Sequence, residues 1–113
     1  MRVLSFGHAL PAQSVTNDQL AAMLDTSDEW IATHTGIRSR YIMSGDETLA
    51  GLGAQAARMA LGRANADVQS LDYILCSTTC GDMTFPSTAC LAQRELGADC
   101  PALDCNAGCS GFL

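Results

Sequence analysis

The residue best placed to do chemistry is Cys109, within Leu103-Asp104-Cys105-Asn106-Ala107-Gly108-Cys109-Ser110-Gly111-Phe112-Leu113. A short apolar run bounded by Pro101 has the pattern of a buried strand. It gives way to Ala107 and Gly108, too small to obstruct an approaching carbonyl, and then to Cys109. If a helix begins there, the thiol lies where free backbone N–H groups and the positive end of the helix dipole converge. That setting favours the thiolate, which is the nucleophile. The same N–H groups can receive the oxyanion of an attacked thioester. The pattern is a strand–turn–helix elbow with cysteine as nucleophile. The alternative from the same residues is a small buried core cysteine, the usual state of a free thiol.

Five further cysteines, Cys76, Cys80, Cys90, Cys100 and Cys105, raise the question of disulfides or metal. The N-terminus, Met1 to His8, is too short and too interrupted for a signal peptide, so a disulfide framework is not expected. The spacings Cys76-x3-Cys80 and Cys105-x3-Cys109 are not the C-x2-C knuckles of structural zinc sites. No metal is expected, and most of these thiols are expected to be small buried hydrophobes, with only Cys109 in a reactive setting.

The elements that position this elbow follow from the chain's periodicity. Arg2 to Leu10 reads as a first strand, closed by Pro11, with Gly7 marking a bend or a close backbone approach. Thr16 or Asn17 caps a helix carrying Leu20, Met23 and Leu24. Ser27 caps a second helix, with Asp28 and Glu29 in its first turn and Gly36 at its end. Ile37 to Met43 is a short strand or an extended loop. The longest helix opens after Asp46-Glu47-Thr48 and runs to about Ala64, with Leu49, Leu52, Ala56, Met59 and Ala60 as its buried stripe. Its small residues Ala50, Gly51, Gly53, Ala54 and Ala57 allow close approach to a neighbour. Asp67 begins a turn before a buried parallel strand over 71–78. Pro86-Ser87-Thr88 starts a helix from Ala89 to Leu96, stopped by Gly97, and the last strand leads from Pro101 or Ala102 to Asn106. Alternating strands and helices imply a layered α/β fold with a largely parallel sheet.

Composition excludes several functions. Net charge is −6 and there is no lysine, so a nucleic-acid partner has no electrostatic support. No apolar run reaches membrane-spanning length, so a membrane role is not expected and a cytoplasmic protein is. The 113 residues amount to one domain, yet Phe112-Leu113 fall one turn into the helix expected after Cys109. A truncated or cleaved chain is expected.

Asn106-Ala107-Gly108-Cys109-Ser110-Gly111-Phe112 resembles the active-site segment of β-ketoacyl-acyl-carrier-protein synthase III, a thiolase-fold condensing enzyme. Asp25-Thr26-Ser27-Asp28-Glu29-Trp30-Ile31 with Thr35-Gly36-Ile37-Arg38-Ser39-Arg40 is similar to that family's N-terminal coenzyme A segment. Phe85-Pro86-Ser87 followed by Ala89-Cys90 resembles the segment before its third helix. The resemblance implies the N-terminal half of a thiolase-like fold and a homodimer. It also implies a decarboxylative condensation that starts fatty-acid chains. Cys109 would take an acyl group from acyl-CoA, which is substrate rather than cofactor, and pass it to the carbanion of malonyl-acyl-carrier protein. The family's catalytic His and Asn lie in its second half, and neither His8 nor His34 matches that histidine.

By the same resemblance Trp30 is the adenine platform, against a bland alternative as a half-buried helix anchor, and Thr26 contacts the same base. His34 stands where the family commonly has arginine, which would make the hold on coenzyme A pH-dependent. Phe85 resembles the residue that crosses the dimer interface to floor the partner's acyl pocket. Arg38 and Arg40 read most simply as a solvated strand face. The elbow leaves open a polyketide-priming or 3-hydroxy-3-methylglutaryl-CoA-synthase-like enzyme. Outside catalysis, a severed half that folds with its complement, or a metal-holding module, are the alternatives.

Overall fold

Thr16 closes one helix start and Ser27 the next, and between them these caps set up the segment that carries Trp30. The computed structural model describes residues 2–111, in two compact units: Leu10–Glu47, and the residues before and after it. In the first unit, β1 (Gln13–Thr16) pairs antiparallel with β2 (Ser39–Ile42), Val15 opposite Arg40. Between them lie α1 (Asn17–Ala21) and α2 (Asp28–Thr35). Thr16 and Gln19 form a reciprocal capping box on α1, which satisfies two otherwise orphaned N–H groups. Ser27 caps α2 by accepting from the Trp30 N–H at 3.1 Å, and Gly36 ends it at φ 73°, a left-handed conformation that glycine adopts without penalty.

The centre of this unit is polar. Asn17 is 1 % exposed, donates to Asp28 Oδ1 at 2.7 Å and to the Ile37 carbonyl at 2.8 Å, and accepts from Arg40. Arg40 also donates to the Val15 carbonyl at 3.2 Å. The expectation of a solvated arginine face is therefore corrected for Arg40, which is half-buried in this network. Arg38 keeps the expected exposure, with Asp28 at 3.5 Å.

In the second unit, α3 (Leu49–Ala64) and α4 (Thr88–Leu96) pack together, and α4 covers the parallel pair β3 (Ile74–Ser77) and β4 (Ala102–Cys105). The tightest face of α3 is Ala50 and Ala54, at 3 % and 0 %, rather than the expected stripe of larger side chains. On α4, which packs on α3, Ala89 is fully buried, and small side chains on both helices let them close in. Both helices end on left-handed residues, Asn65 and Gly97.

Residues 2–9 form no strand, contrary to expectation. Extended backbone becomes a strand only beside another, and this segment lies instead on α3. Ser5 Oγ donates to the Ala60 carbonyl at 2.7 Å, and Arg63 to the Phe6 carbonyl at 2.8 Å. Gly7 is the close approach its type suggested: a Cβ there would sit 2.0 Å from the Ala56 carbonyl oxygen. Strand β3 is parallel as expected but not buried, since Leu75 is 68 % exposed. No described helix is long and apolar enough to cross a membrane.

Candidate active site

Strand β4 alternates, with Ala102 and Asp104 turned toward α4 while Leu103 and Cys105 are exposed. Its pairing with β3 runs from Ile74 opposite Ala102 to Ser77 opposite Cys105, and the Thr78 N–H extends the ladder to the Cys105 carbonyl at 3.2 Å. The chain then leaves the sheet through Asn106 and Ala107 and turns at Gly108, where φ is 52°. Cys109 is exposed in the middle of the single 3-10 turn Gly108–Ser110. That turn is closed by Ser110 N–H to the Ala107 carbonyl at 3.1 Å and Gly111 N–H to the Gly108 carbonyl at 3.2 Å.

Cys109 thus sits on a strand–turn elbow, within the 3-10 turn Gly108–Ser110. Phe112 and Leu113, on which the expected helix continues, lie outside the described residues.

The two glycines flanking Cys109 are needed for different reasons. Gly108 supplies a positive φ that a side chain resists. Gly111 has an ordinary φ of −65°, but a Cβ there would lie 2.0 Å from Ser77 Oγ and 3.2 Å from Ser77 Cβ. The end of the elbow is therefore seated directly on strand β3.

The remaining thiols differ from the expectation of burial. Cys100 is buried and Cys76 and Cys90 are half-buried, whereas Cys80 and Cys105 are exposed like Cys109. With the outer face of a two-stranded sheet open, Cys105 follows Leu103 into solvent. The Cys76 thiol is pushed up by burial first, then by the charges of Asp104 and Asp82. All six cysteines are free. Among the described residues no group of three or more His, Cys, Asp or Glu side chains could hold a metal ion.

Trp30 lies in the first unit. It is 57 % exposed, which overturns the reading as a half-buried anchor, and it lines an open depression of about 360 Å³ with Asp25, Thr26 and Ser27. The His34 ring stacks on Trp30 with centroids 4.4 Å apart and planes 20° from parallel. His34 Nδ1 lies 2.7 Å from the Trp30 carbonyl, which can only accept, so Nδ1 is the donor in that bond. Phe85, in the second unit, is 87 % exposed and immediately precedes Pro86 and the capping Ser87 of α4. His8 is exposed on the extended segment before Leu10.

Two residues that sequence reasoning passed over organise the second unit. Asp82 accepts from the N–H groups of Leu49 at 2.7 Å and Ala50 at 2.8 Å, at the start of α3. Asp104 accepts from Thr88 at 2.8 Å and Ala89 at 2.7 Å, at the start of α4. Each carboxylate spans two orphan donors of a helix distant in sequence, and only the sequence neighbours of a helix can be recognised as caps by spacing.

No protein-family model matches the chain. It is 49 % identical over 113 residues to the β-ketoacyl-[acyl-carrier-protein] synthase III of Methylococcus capsulatus, covering 99 % of this chain and 35 % of that protein. It is 50 % identical to the protein of the same name from Xylella fastidiosa, with the same coverage. Its fold matches the crystal structure of 3-oxoacyl-[acyl-carrier-protein] synthase III from Aquifex aeolicus at a TM-score of 0.92 and 44 % identity, over 98 % of this chain and 36 % of that one. It also matches the priming β-ketosynthase of the R1128 polyketide pathway at a TM-score of 0.90 and 38 % identity, over 98 % of this chain and 34 % of that one. The chain spans about a third of the length of these relatives.

Proposed function

We infer, from a chain homologous along its whole length to part of β-ketoacyl-[acyl-carrier-protein] synthase III and sharing its thiolase-type α/β fold, that Cys109 is the acyl-accepting nucleophile of a condensing enzyme. The observation that carries this is the exposed Cys109 on a tight turn directly after a parallel strand, flanked by Gly108 and Gly111. Its thiolate attacks the carbonyl carbon of an acyl-CoA, and the coenzyme A thiolate leaves as the tetrahedral intermediate collapses. Malonyl-acyl-carrier protein then loses carbon dioxide. The resulting enolate carbon attacks the Cys109 thioester, whose sulfur leaves as thiolate. No resident cofactor is needed for either half, because both electron pairs come from the thiolate and the departing carboxylate.

The coenzyme A nucleotide is assigned to the depression beside Trp30 and Thr26. An exposed indole offers a flat surface for a base, and His34 lies against it. Phe85, almost fully exposed ahead of α4, suits a role at the interface of a homodimer, reaching the partner's acyl pocket. The enolate-stabilising donors are assigned to the part of the relatives that this chain does not span, and the site of action to the cytoplasm.

A second reading is polyketide priming, favoured by the likeness to the R1128 enzyme. The 3-hydroxy-3-methylglutaryl-CoA-synthase type needs the same thiolate. Condensation is tested with radiolabelled malonyl-acyl-carrier protein, using the chain alone and the chain mixed with the remaining two thirds of a family protein. The chain alone is expected to be inactive, since loss of one preorganised donor costs on the order of a hundredfold or more. Equal turnover in the two samples would overturn the assignment of the second half-reaction.

A further inference from the structure

The geometry points to Asp104 as a positioning residue that holds the Cys109 turn in register with the start of α4. Asp104 lies five positions before Cys109, on the strand that runs into the elbow. Its two carboxylate oxygens take the N–H groups of Thr88 and Ala89, while Ser87 Oγ takes the Cys90 N–H at 3.3 Å. The first three N–H groups of α4 are thus held by two side chains, one of them from β4.

This contact has no solvent substitute. Thr88 is 2 % exposed and Ala89 fully buried, so water cannot replace a lost carboxylate. Among the described residues Thr88 Oγ1 has no hydrogen-bond partner, and it lies so near Gly81 that a Cβ there would come within 2.5 Å of it. The N-terminal turn of α4 is therefore bounded by Gly81 on one side and held by the Asp104 carboxylate through two hydrogen bonds. Downstream of Cys109, Gly111 is seated on Ser77, the register partner of Cys105. The residues between are pinned at both ends, and Asp104 is the upstream pin.

Asp82 supplies an internal comparison. It makes the same two-pronged contact with α3, but from an exposed loop that does not lead to Cys109. If carboxylate clamps act only on stability, the two should be interchangeable in their effect on Cys109.

This role rests on the reading of Cys109 as the reactive thiol, and iodoacetamide tests it without acyl-CoA. The rate of Cys109 alkylation is measured relative to exposed Cys80 in the same molecule, by peptide mapping. In the unsubstituted chain Cys109 is expected to react first. In Asp104→Asn the ratio should fall severalfold, because the strand that leads into the Cys109 turn loses its anchor on α4. In Asp82→Asn it should stay unchanged even though the chain is less stable. If Asp104→Asn unfolds, all six cysteines will react alike, and Asp104→Glu then decides: the charge is kept but displaced, and the ratio should still fall. A preserved Cys109 preference in a folded Asp104 variant, or an equal fall in Asp82→Asn, overturns the positioning role. Equal reactivity of Cys109 and Cys80 in the unsubstituted chain overturns the nucleophile reading itself, and this role with it.

Discussion

Adding one methyl group at Gly111 should reveal how firmly the elbow is seated on β3. The backbone there already has φ −65°, so alanine meets no conformational penalty, and the whole cost is steric. The new Cβ would stand 2.0 Å from Ser77 Oγ. Rotating the serine removes that overlap but leaves its Cβ at 3.2 Å and the Gly108 carbonyl oxygen at 3.4 Å, so the turn must still move by a few tenths of an ångström. Forcing one extra carbon into a packed site costs about 1–3 kcal/mol. Against that, replacing glycine gains about 0.4–1 kcal/mol from the unfolded chain, so Gly111→Ala should lose on the order of 1 kcal/mol net. The assay must report on this unit, which Trp30 does not. Protection of buried Cys100 from alkylation across a urea series does. Ser77→Ala removes the overlapping oxygen and should recover only the part of the loss that its displacement causes, because the Ser77 Cβ and the Gly108 oxygen still crowd the new methyl group. Effects of Gly111→Ala and Ser77→Ala that add within about 0.5 kcal/mol would show that the two residues are not in contact and would refute the reasoning.

Other perturbations probe other joints. Asn17→Ala leaves Asp28, Arg40 and the Ile37 carbonyl without their shared partner, and should cost about 2–3 kcal/mol, read from Trp30 fluorescence in a urea titration. Little change would mean that water fills the site. The Glu47 carboxyl is held below its ordinary value of 4.5, first by the Ser44 N–H and then by that of Ala12. A depressed folded value favours folding above 4.5, and that contribution is lost as pH falls through the lowered value. The Ala12 and Ser44 amide resonances should therefore shift together below pH 4.5 and become flat in Glu47→Gln. Unchanged shifts in that variant would assign the titration elsewhere. Cys76 is raised above 9.0 by burial and two nearby carboxylates, so at pH 8 it should alkylate more slowly than Cys80, Cys105 and Cys109. A fast Cys76 would contradict its surroundings.

Where short-range signals decided an element, the sequence was legible. Thr16, Ser27, Thr48, Asp67 and Ser87 each cap the helix or turn that their type and position announced, and Gly36 and Gly97 close theirs in the left-handed conformation. The parallel pairing of the strand around Ile74 with the one ending at Cys105 followed from alternation of strand and helix. What failed depended on neighbours. Residues 2–9 have strand composition but no strand beside them, and Gln13–Thr16 pairs instead because β2 returns to meet it. Arg40 looked like surface charge because nothing local to it signals Asn17, 23 positions away. Asp82 and Asp104 reach helix termini 32 and 16 positions off, beyond any capping pattern. At the site, Cys109, Gly108 and Gly111 were legible from size and order. The contact of Gly111 with Ser77 and the stack of His34 on Trp30 required the fold.

The central claim is that Cys109 accepts an acyl group from a coenzyme A thioester. Incubation with radiolabelled acetyl-CoA, followed by peptide mapping under conditions that keep thioesters intact, addresses it directly. The account predicts label on the Cys109 peptide, released by hydroxylamine and absent in Cys109→Ala, with Cys80 and Cys105 unlabelled although they too are exposed. Label on Cys80 or Cys105 in preference to Cys109, or undiminished label in Cys109→Ala, would contradict it.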